Sequence, residues 1–426
     1  MNVPDYPYQP MKTTVIKPQL KSRHDRVSLN WTQLNAVITG VSAIDVDSLA
    51  IRNREEAIHF SREYGLDLDE ATDQDRIRRV HREAITFVEE FFLEEDQHRL
   101  IPDEVRHPEN VLDLLVFSSN YLNKANDVQM WACAVLKVMH SIFHIDGDFK
   151  LRYFDNIRNQ IFESLDQIIF SSGSHHYLCD DKIKIPLFFY EKKRNKGRKS
   201  IILKLLQKPT YVASDIYDHL GIRMVFETKM ECLFALKVLR RNHLISVTNI
   251  KPFRSRNNLL DLKSTKRLFN HYRALLDGAR DYPLNVLKRM DRELDLDFVS
   301  RARENNPHSD ELFQTIQVTA RKMIRVPNQS YQSLQELIRH LREENIPLPA
   351  ELVQRDELDR ETAFYFDYEI QLLDKESYLR TMYGPASHKA YKTRQVETAR
   401  KRVLSPALRK YILKETRIAH AKPSEI

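Results

Sequence analysis

The chain has 426 residues, with 67 Lys+Arg against 60 Asp+Glu and a formal net charge of +7. That length supports two or three domains, each able to bury its own core. The 42% hydrophobic and 30% charged content fits a soluble globular protein. Only 8 glycines disfavour Gly-rich phosphate loops, β-propellers and loop-heavy sandwiches, and favour a helix-rich chain. Three cysteines, Cys133, Cys179 and Cys232, are too few and too scattered for a disulfide framework or a zinc knuckle. No run of about 18 apolar residues occurs, so no membrane span is expected.

Residues 1–30 read as a flexible leader, because prolines and mixed polar residues replace the apolar core of a secretory signal. With the cysteine usage, this points to the cytoplasm. Residues 31–178 read as a helical domain. VRHPENVLDLLVFSSNYL, MWACAVLKVMHSIFHI and LRYFDNIRNQIFESLDQIIF space apolar residues by three and four. SSGSHHYLCDD then breaks the pattern with turn residues.

The texture changes after Asp181. IKIPLFFYE reads as a strand, and the basic KKRNKGRKSIILKLLQK follows. DIYDHLGIRMVFET ends in a strand, ECLFALKVLRRN is an amphipathic helix and LISVTNIKPF a further strand. Helical sequence fills about 258–305, TIQVTARKMIRV and FYFDYEIQLL read as strands, and a helix closes the chain. The fold class is therefore α+β, an all-helical domain followed by a mixed-sheet domain over 181–395. From Lys389 onward 11 Lys+Arg stand against 3 Asp+Glu. The segment 396–426 thus reads as a basic helix, either a solvated terminus or a contact for RNA or the ribosome.

Several segments can carry chemistry. Lys192 to Lys208 holds eight Lys/Arg and no acid. It is either a solvated loop or a cradle in which Arg194, Lys196, Ser200 and Lys204 meet a polyanion at a helix start. Asp218, just ahead of Arg223 and an apolar strand, is either a magnesium ligand, or an N-cap or a salt-bridge partner of that arginine. Alternation on a strand puts Asp367, Glu369 and Gln371 on one face and Tyr368, Ile370 and Leu372 on the other. His388 lies in GPASHKAYK, a polar stretch. HSIFHIDGD offers His140, His144, Asp146 and Asp148 as a metal-like group or as surface polar residues. His175-His176 near Cys179 is a weaker candidate of the same kind.

The order of these segments resembles the synthetase domain of RelA/SpoT-type alarmone synthetases. The resembling segments are the R-x-K-x-x-x-S-x-x-x-K run, DIYDHLGIR, EIQLLD and GPASHKAYK, together covering about 185–395. The resemblance implies a nucleotidyltransferase-like domain with a helical insertion at about 258–305. It implies Mg²⁺-dependent transfer of pyrophosphate from ATP to the 3′-hydroxyl of a guanine nucleotide or related acceptor. Arg194, Lys196, Arg198, Ser200 and Lys204 would hold the ATP phosphates. Asp218 and Glu369 would hold the metal and orient the attacking hydroxyl, with Arg223, Gln371 and His388 in the same motifs. Lys251, Arg254 and Arg256 would take the acceptor phosphates. Phe313 would stack on the acceptor base beside Gln317, and the alternative register uses Tyr331.

The chain departs from the family pattern in three places. The Gly and His of the family's N-P-K-x-N-G-Y-x-S-L-H segment are absent whether it is matched to NPHSDELFQTIQ, with Phe313 and Gln317, or to PNQSYQSLQ, with Tyr331; the Arg of the family's E-x-Q-x-R is Leu373, and the insertion is longer. Three readings follow: an active synthetase, a nucleotide-binding signalling module without transfer, and an RNA-directed protein using the basic tail. No hydrolase-like metal motif is expected, since the single His-Asp dipeptide, His24-Asp25, falls in the leader.

Overall fold

The computed structural model describes residues 31–46, 49–119, 126–193, 197–207, 220–251, 254–279, 282–294, 314–344, 346, 360–383 and 388–421. The first half is helical: α1 (Trp31–Thr39), α2 (Arg54–Glu63), α3 (Ala71–Phe92), α4 (Asp103–Arg106), α5 (Asp113–Ser118), α6 (Asp127–Asp146) and α7 (Phe154–Asp166). The strands are β1 (Ile169–Ser172), β2 (His175–Cys179), β3 (Lys184–Leu187), β4 (Phe189–Lys193), β5 (Gly221–Phe226), β6 (Arg256–Asn257), β7 (Ile316–Pro327) and β8 (Glu361–Asp374). Among and after them come α8 (Arg198–Gln207), α9 (Lys229–Arg241), α10 (Leu262–Asp277), α11 (Leu284–Arg292) and α12 (Gln329–Glu343). Last come α13 (Lys375–Tyr383), α14 (His388–Val403) and α15 (Pro406–Ala421). The mixed helix-and-sheet class matches the expectation.

The helical core forms where α3 lays Ile77, Val80, Ala84, Phe87 and Val88 against α6. Spacings of three and four keep these side chains on one face. Trp131, Val135, Val138 and Ile142 of α6 are fully buried, each such aliphatic or aromatic side chain contributing about 1.5–3 kcal/mol. By length and composition α6 is apolar enough to cross a membrane. Its apolar residues instead form the centre of this core.

The core also recruits distant chain. From α8 come Ile201, Ile202, Leu203, Leu205 and Leu206, and from α14, α15 and the link between them come Ala399, Val403, Leu404, Leu408 and Ile412. The basic C-terminal segment is therefore two helices docked on the helical unit. Conversely, α7, expected within the helical domain, packs Ile157, Ile161 and Leu165 into the core under the sheet. The hydrophobic cores thus run across the boundaries expected at 178–181 and 395–396.

A three-stranded antiparallel sheet has the order β1-β2-β3, and a five-stranded mixed sheet the order β4-β5-β8-β7-β6. The β1–β2 hairpin occupies the stretch expected to be a turn, because Gly173 at φ +61 reverses the chain. IKIPLFFYE splits at Phe188 into strands of different sheets. LISVTNIKPF is not a strand among its described residues. It makes one bridge, Ile250 to Ala320, because Asn249 folds back to bond Ser246 and Leu244. In the larger sheet β5 and β8 run parallel, and the other neighbours are antiparallel.

The insertion helices α10 and α11 pack with α9 on the apolar side of this sheet. Thr228 and Glu231 cap α9 reciprocally. The Asp291 carboxylate accepts from the Lys229 and Met230 amides at 2.6 and 3.1 Å, fastening α11 to the start of α9. The described part of the insertion therefore leaves the opposite sheet face uncovered.

Candidate functional site

Strand alternation gives the five-stranded sheet two unlike faces. Ile222, Met224, Ile316, Val318, Tyr368, Ile370 and Leu372 point into the core. Asp367, Glu369 and Gln371 stand half-buried on the other face, as their spacing predicts. The register then aligns polar residues across all five strands. Glu191 of β4 lies opposite Arg223 of β5, which lies opposite Gln371 of β8. Gln371 lies opposite Gln317 of β7, which lies opposite Arg256 of β6. Directly opposite side chains on one face are close enough to bond.

They do so in a chain. Arg223 donates from Nε and Nη2 to the Gln371 side-chain oxygen at 3.2 and 3.1 Å. Gln371 donates through Nε2 to Glu369 Oε1 at 2.6 Å. Gln317 donates through Nε2 to Glu369 Oε2 at 2.6 Å. Glu191 lies 3.6 Å from Arg223 at the other end. The Glu369 carboxylate is thus gripped on both oxygens by amides from two strands, each oxygen keeping lone-pair capacity for a further partner. Two residues away along β8, Asp367 pairs with Lys251 at 3.1 Å.

One end of this polar face is closed by apolar packing. Phe189 stacks on Tyr378 of α13 with ring centroids 4.9 Å apart, over Val225 and Leu373. At the other end the Glu369 amide donates to the Leu220 carbonyl at 2.9 Å. Glu369 is therefore fixed beside the point where the chain enters β5, two residues after Asp218 in sequence.

The structure gathers part of the expected site. Glu369, Gln371, Arg223, Gln317, Arg256 and Lys251 share the polar face. Arg254 is described close by in the chain, its amide donating to the Lys251 carbonyl at 3.4 Å. Arg194, Lys196, Asp218 and Phe313 lie outside the described residues. His388 begins α14, and its side chain lies outside the description.

Other candidates stand elsewhere. Tyr331 is on α12, with Arg360 over its ring at 6.0 Å. The β7–β8 ladder runs from the Glu369 register to Glu361 before α12 begins, about 27 Å at the rise of an antiparallel strand. That separation removes Tyr331 from the site. Ser200 and Lys204 are on α8, as expected, but α8 is buried among the helices.

Arg198, expected on phosphates, is held by the helical unit. It donates to Glu83 from Nε and Nη2 and lies 2.7 Å from Asp146. Asp146 also takes Arg79 at 3.1 Å. The acids at α3 and α6 thus take the first cation of α8. Arg198→Gln is expected to cost about 1 kcal/mol of stability, measured by thermal unfolding.

The HSIFHIDGD group does not assemble. Among the described residues no set of three or more His, Cys, Asp and Glu gathers for a metal. His140 instead meets the Tyr64 hydroxyl through Nδ1. Burial, with His144 adding to it, holds the His140 pKa down at about 4. On the β1–β2 hairpin, His176 bonds Ser171 at 2.8 Å, and burial raises the Cys179 thiol pKa.

Sequence reasoning missed Glu191, whose place opposite Arg223 depends on the β4–β5 register. It also missed Glu83, and read Asp146 as part of a metal-like group rather than as a partner of Arg198; the two acids lie 115 and 52 positions before Arg198 in the chain. No known protein family matches the chain, and no curated protein matches it.

Proposed function

We propose that the polar face of the five-stranded sheet is a nucleotidyltransferase-like site. It binds ATP with Mg²⁺ and transfers pyrophosphate to the 3′-hydroxyl of a guanine nucleotide or related acceptor. The observation that carries this reading is the Glu369 carboxylate, clamped by Gln317 and Gln371 beside the entry to β5. A transfer of this kind makes little covalent demand on the protein. It needs positioning and charge neutralisation.

Supporting the reading, the polar face offers an oriented acid, Glu369, with Arg223, Lys251 and Arg256 on the same face, the first two also meeting Glu191 and Asp367. Glu369 would orient the attacking hydroxyl or take its proton. Gln317 and Gln371 would keep its carboxylate in place, and Arg223, bonded to Gln371, would hold that amide. Arg194 and Lys196 would meet the donor phosphates, and Arg254 and Arg256 those of the acceptor. Phe313, four residues before Gln317 in sequence, would stack on the acceptor base.

The oxygen donors suit Mg²⁺, which binds through one or two carboxylates together with substrate phosphates. Glu369 and Asp218 would hold it. When bound it would neutralise charge on the donor phosphates. Incubation with Mg·ATP and GDP or GTP is expected to release AMP and give a 3′-pyrophosphorylated nucleotide, separated by anion exchange. Asp218→Ala is expected to stop both. ATP consumed without AMP would sink the transfer chemistry.

A second reading is nucleotide binding without transfer. It is favoured by Arg198 being committed to Glu83 and Asp146 rather than to a ligand. ATP bound at the sheet with no AMP formed on any guanine acceptor would select it.

A further inference from the structure

Away from the sheet, α3 carries arginines at 76, 78, 79 and 82. Arg76, Arg79 and Arg82 recur every three residues along one side of the helix. They form one wall of a groove of about 1030 Å³, whose other side includes Arg106, His107 and Pro108. Through Arg79 and Arg82 the groove continues into a smaller hollow of about 360 Å³ that reaches Lys199 of α8.

Five arginines line the groove against one acid, Asp75. Some are engaged: Arg78 with Asp75 at 2.9 Å, Arg79 with Asp146, Arg106 with Glu89, and Arg76 over the Phe143 ring at 5.5 Å. The exposed Arg82 guanidinium has no ion pair or hydrogen bond among the described residues. Like charges one turn apart weaken a helix by a few tenths of a kcal/mol each. Asp75, Asp146 and Glu89 answer Arg78, Arg79 and Arg106, Glu83 of the adjoining hollow is taken by Arg198, and Arg76 and Arg82 keep no carboxylate partner among the described residues.

We propose that this groove binds a small ligand carrying a chain of phosphates. Several guanidinium forks on facing walls suit several neighbouring anionic groups, where a single carboxylate would need one. A concave cationic wall also concentrates the potential that draws a polyanion in. The volume is that of a small-molecule site, and Pro108 and Val111 bound it on one side. Both features fit a compact ligand better than a nucleic-acid strand.

The test uses the full chain and titrates inorganic tripolyphosphate, ATP and a single-stranded RNA by calorimetry at fixed salt. Tripolyphosphate is expected to bind, and Arg79→Gln/Arg82→Gln to weaken it at least tenfold while thermal unfolding stays cooperative. Arg82→Gln alone removes a side chain without a described partner and is expected to weaken it severalfold. Arg417→Gln, at an exposed position of α15, is expected to change nothing. Equal affinity for ATP and tripolyphosphate assigns the ligand to the phosphate chain alone, and tighter ATP adds a nucleoside contact. Either supports the proposal. It is overturned if tripolyphosphate does not bind, if only RNA binds, if Arg417→Gln weakens binding equally, or if Glu369→Gln abolishes it. The last result would move the anion to the sheet and leave the function proposed there standing.

Discussion

Glu369→Gln is expected to lower AMP release about 10²–10⁴-fold while ATP affinity changes less than tenfold. The loss follows from removing the one acid that the polar face orients on both oxygens. The substitution also has a structural cost. A glutamine at 369 can accept from one neighbouring amide but turns its own NH₂ toward the other. Two facing donors leave a half-buried group unsatisfied, at about 1–3 kcal/mol. Stability and activity therefore fall together in the single variant and must be separated.

The pair Glu369→Gln/Gln317→Glu does this. It restores one carboxylate and two amides to the same three positions, with the acid moved from β8 to β7. Denaturant unfolding is expected to return toward the wild-type midpoint, as a coupled pair should. Activity is expected to stay low, because the carboxylate then stands one strand further from Leu220 and β5. Full activity in either variant would show that Glu369 is only a structural hydrogen-bond acceptor.

Removing 396–426 is expected to abolish cooperative folding of the helical unit. The deleted segment includes Ala399, Val403, Leu404, Leu408 and Ile412, all at 0–1% exposure. A buried leucine or isoleucine truncated to alanine costs about 2–5 kcal/mol, so losing the whole set is comparable to the about 5–15 kcal/mol that stabilises a domain. Leu408→Ala alone is expected to cost about 2–5 kcal/mol, read from denaturant unfolding of the full chain. A truncated chain that keeps the wild-type midpoint would contradict this packing.

The cations of the segment take part in the same docking. Arg402, with a side chain 10% exposed, pairs with Asp45 and donates to the Leu205 and Leu206 carbonyls at 3.2 and 3.0 Å. Arg400 donates to the Phe92 carbonyl at 2.9 Å. Loss of RNA binding on deleting the tail would consequently report unfolding. The proposal that the tail touches RNA has to be tested on exposed α15 residues such as Lys410, Lys414 and Arg417 instead.

Much of the polar face was legible from local pattern. The alternation Asp367-Tyr368-Glu369-Ile370-Gln371-Leu372 separates the two faces of β8 without knowledge of any partner, because successive strand residues must point opposite ways. The strand at TIQVTARKMIRV and the helices at 258–305 follow from periodicity in the same way. The sheet then brings Gln317 onto Glu369 and leaves Tyr331 on α12.

What local pattern could not supply was the choice of partner. A run of eight cations from Lys192 to Lys208 looks the same whether its charges meet phosphates or acids of its own chain. Arg198 meets Glu83 and Asp146 because α8 is apolar nearly all round and is buried between α6 and α14. The composition of the last 38 residues likewise establishes a charge of +8, but not that Leu404, Leu408 and Ile412 complete a core begun at Ile77. The amino-acid order by itself determined the α+β class, most of the elements and the polar face of β8, since these depend on neighbours two to four positions away. Which cations serve the fold, which strands flank Glu369 and which helices complete each core were decided by the tertiary structure alone, since those contacts join residues separated by up to several hundred positions.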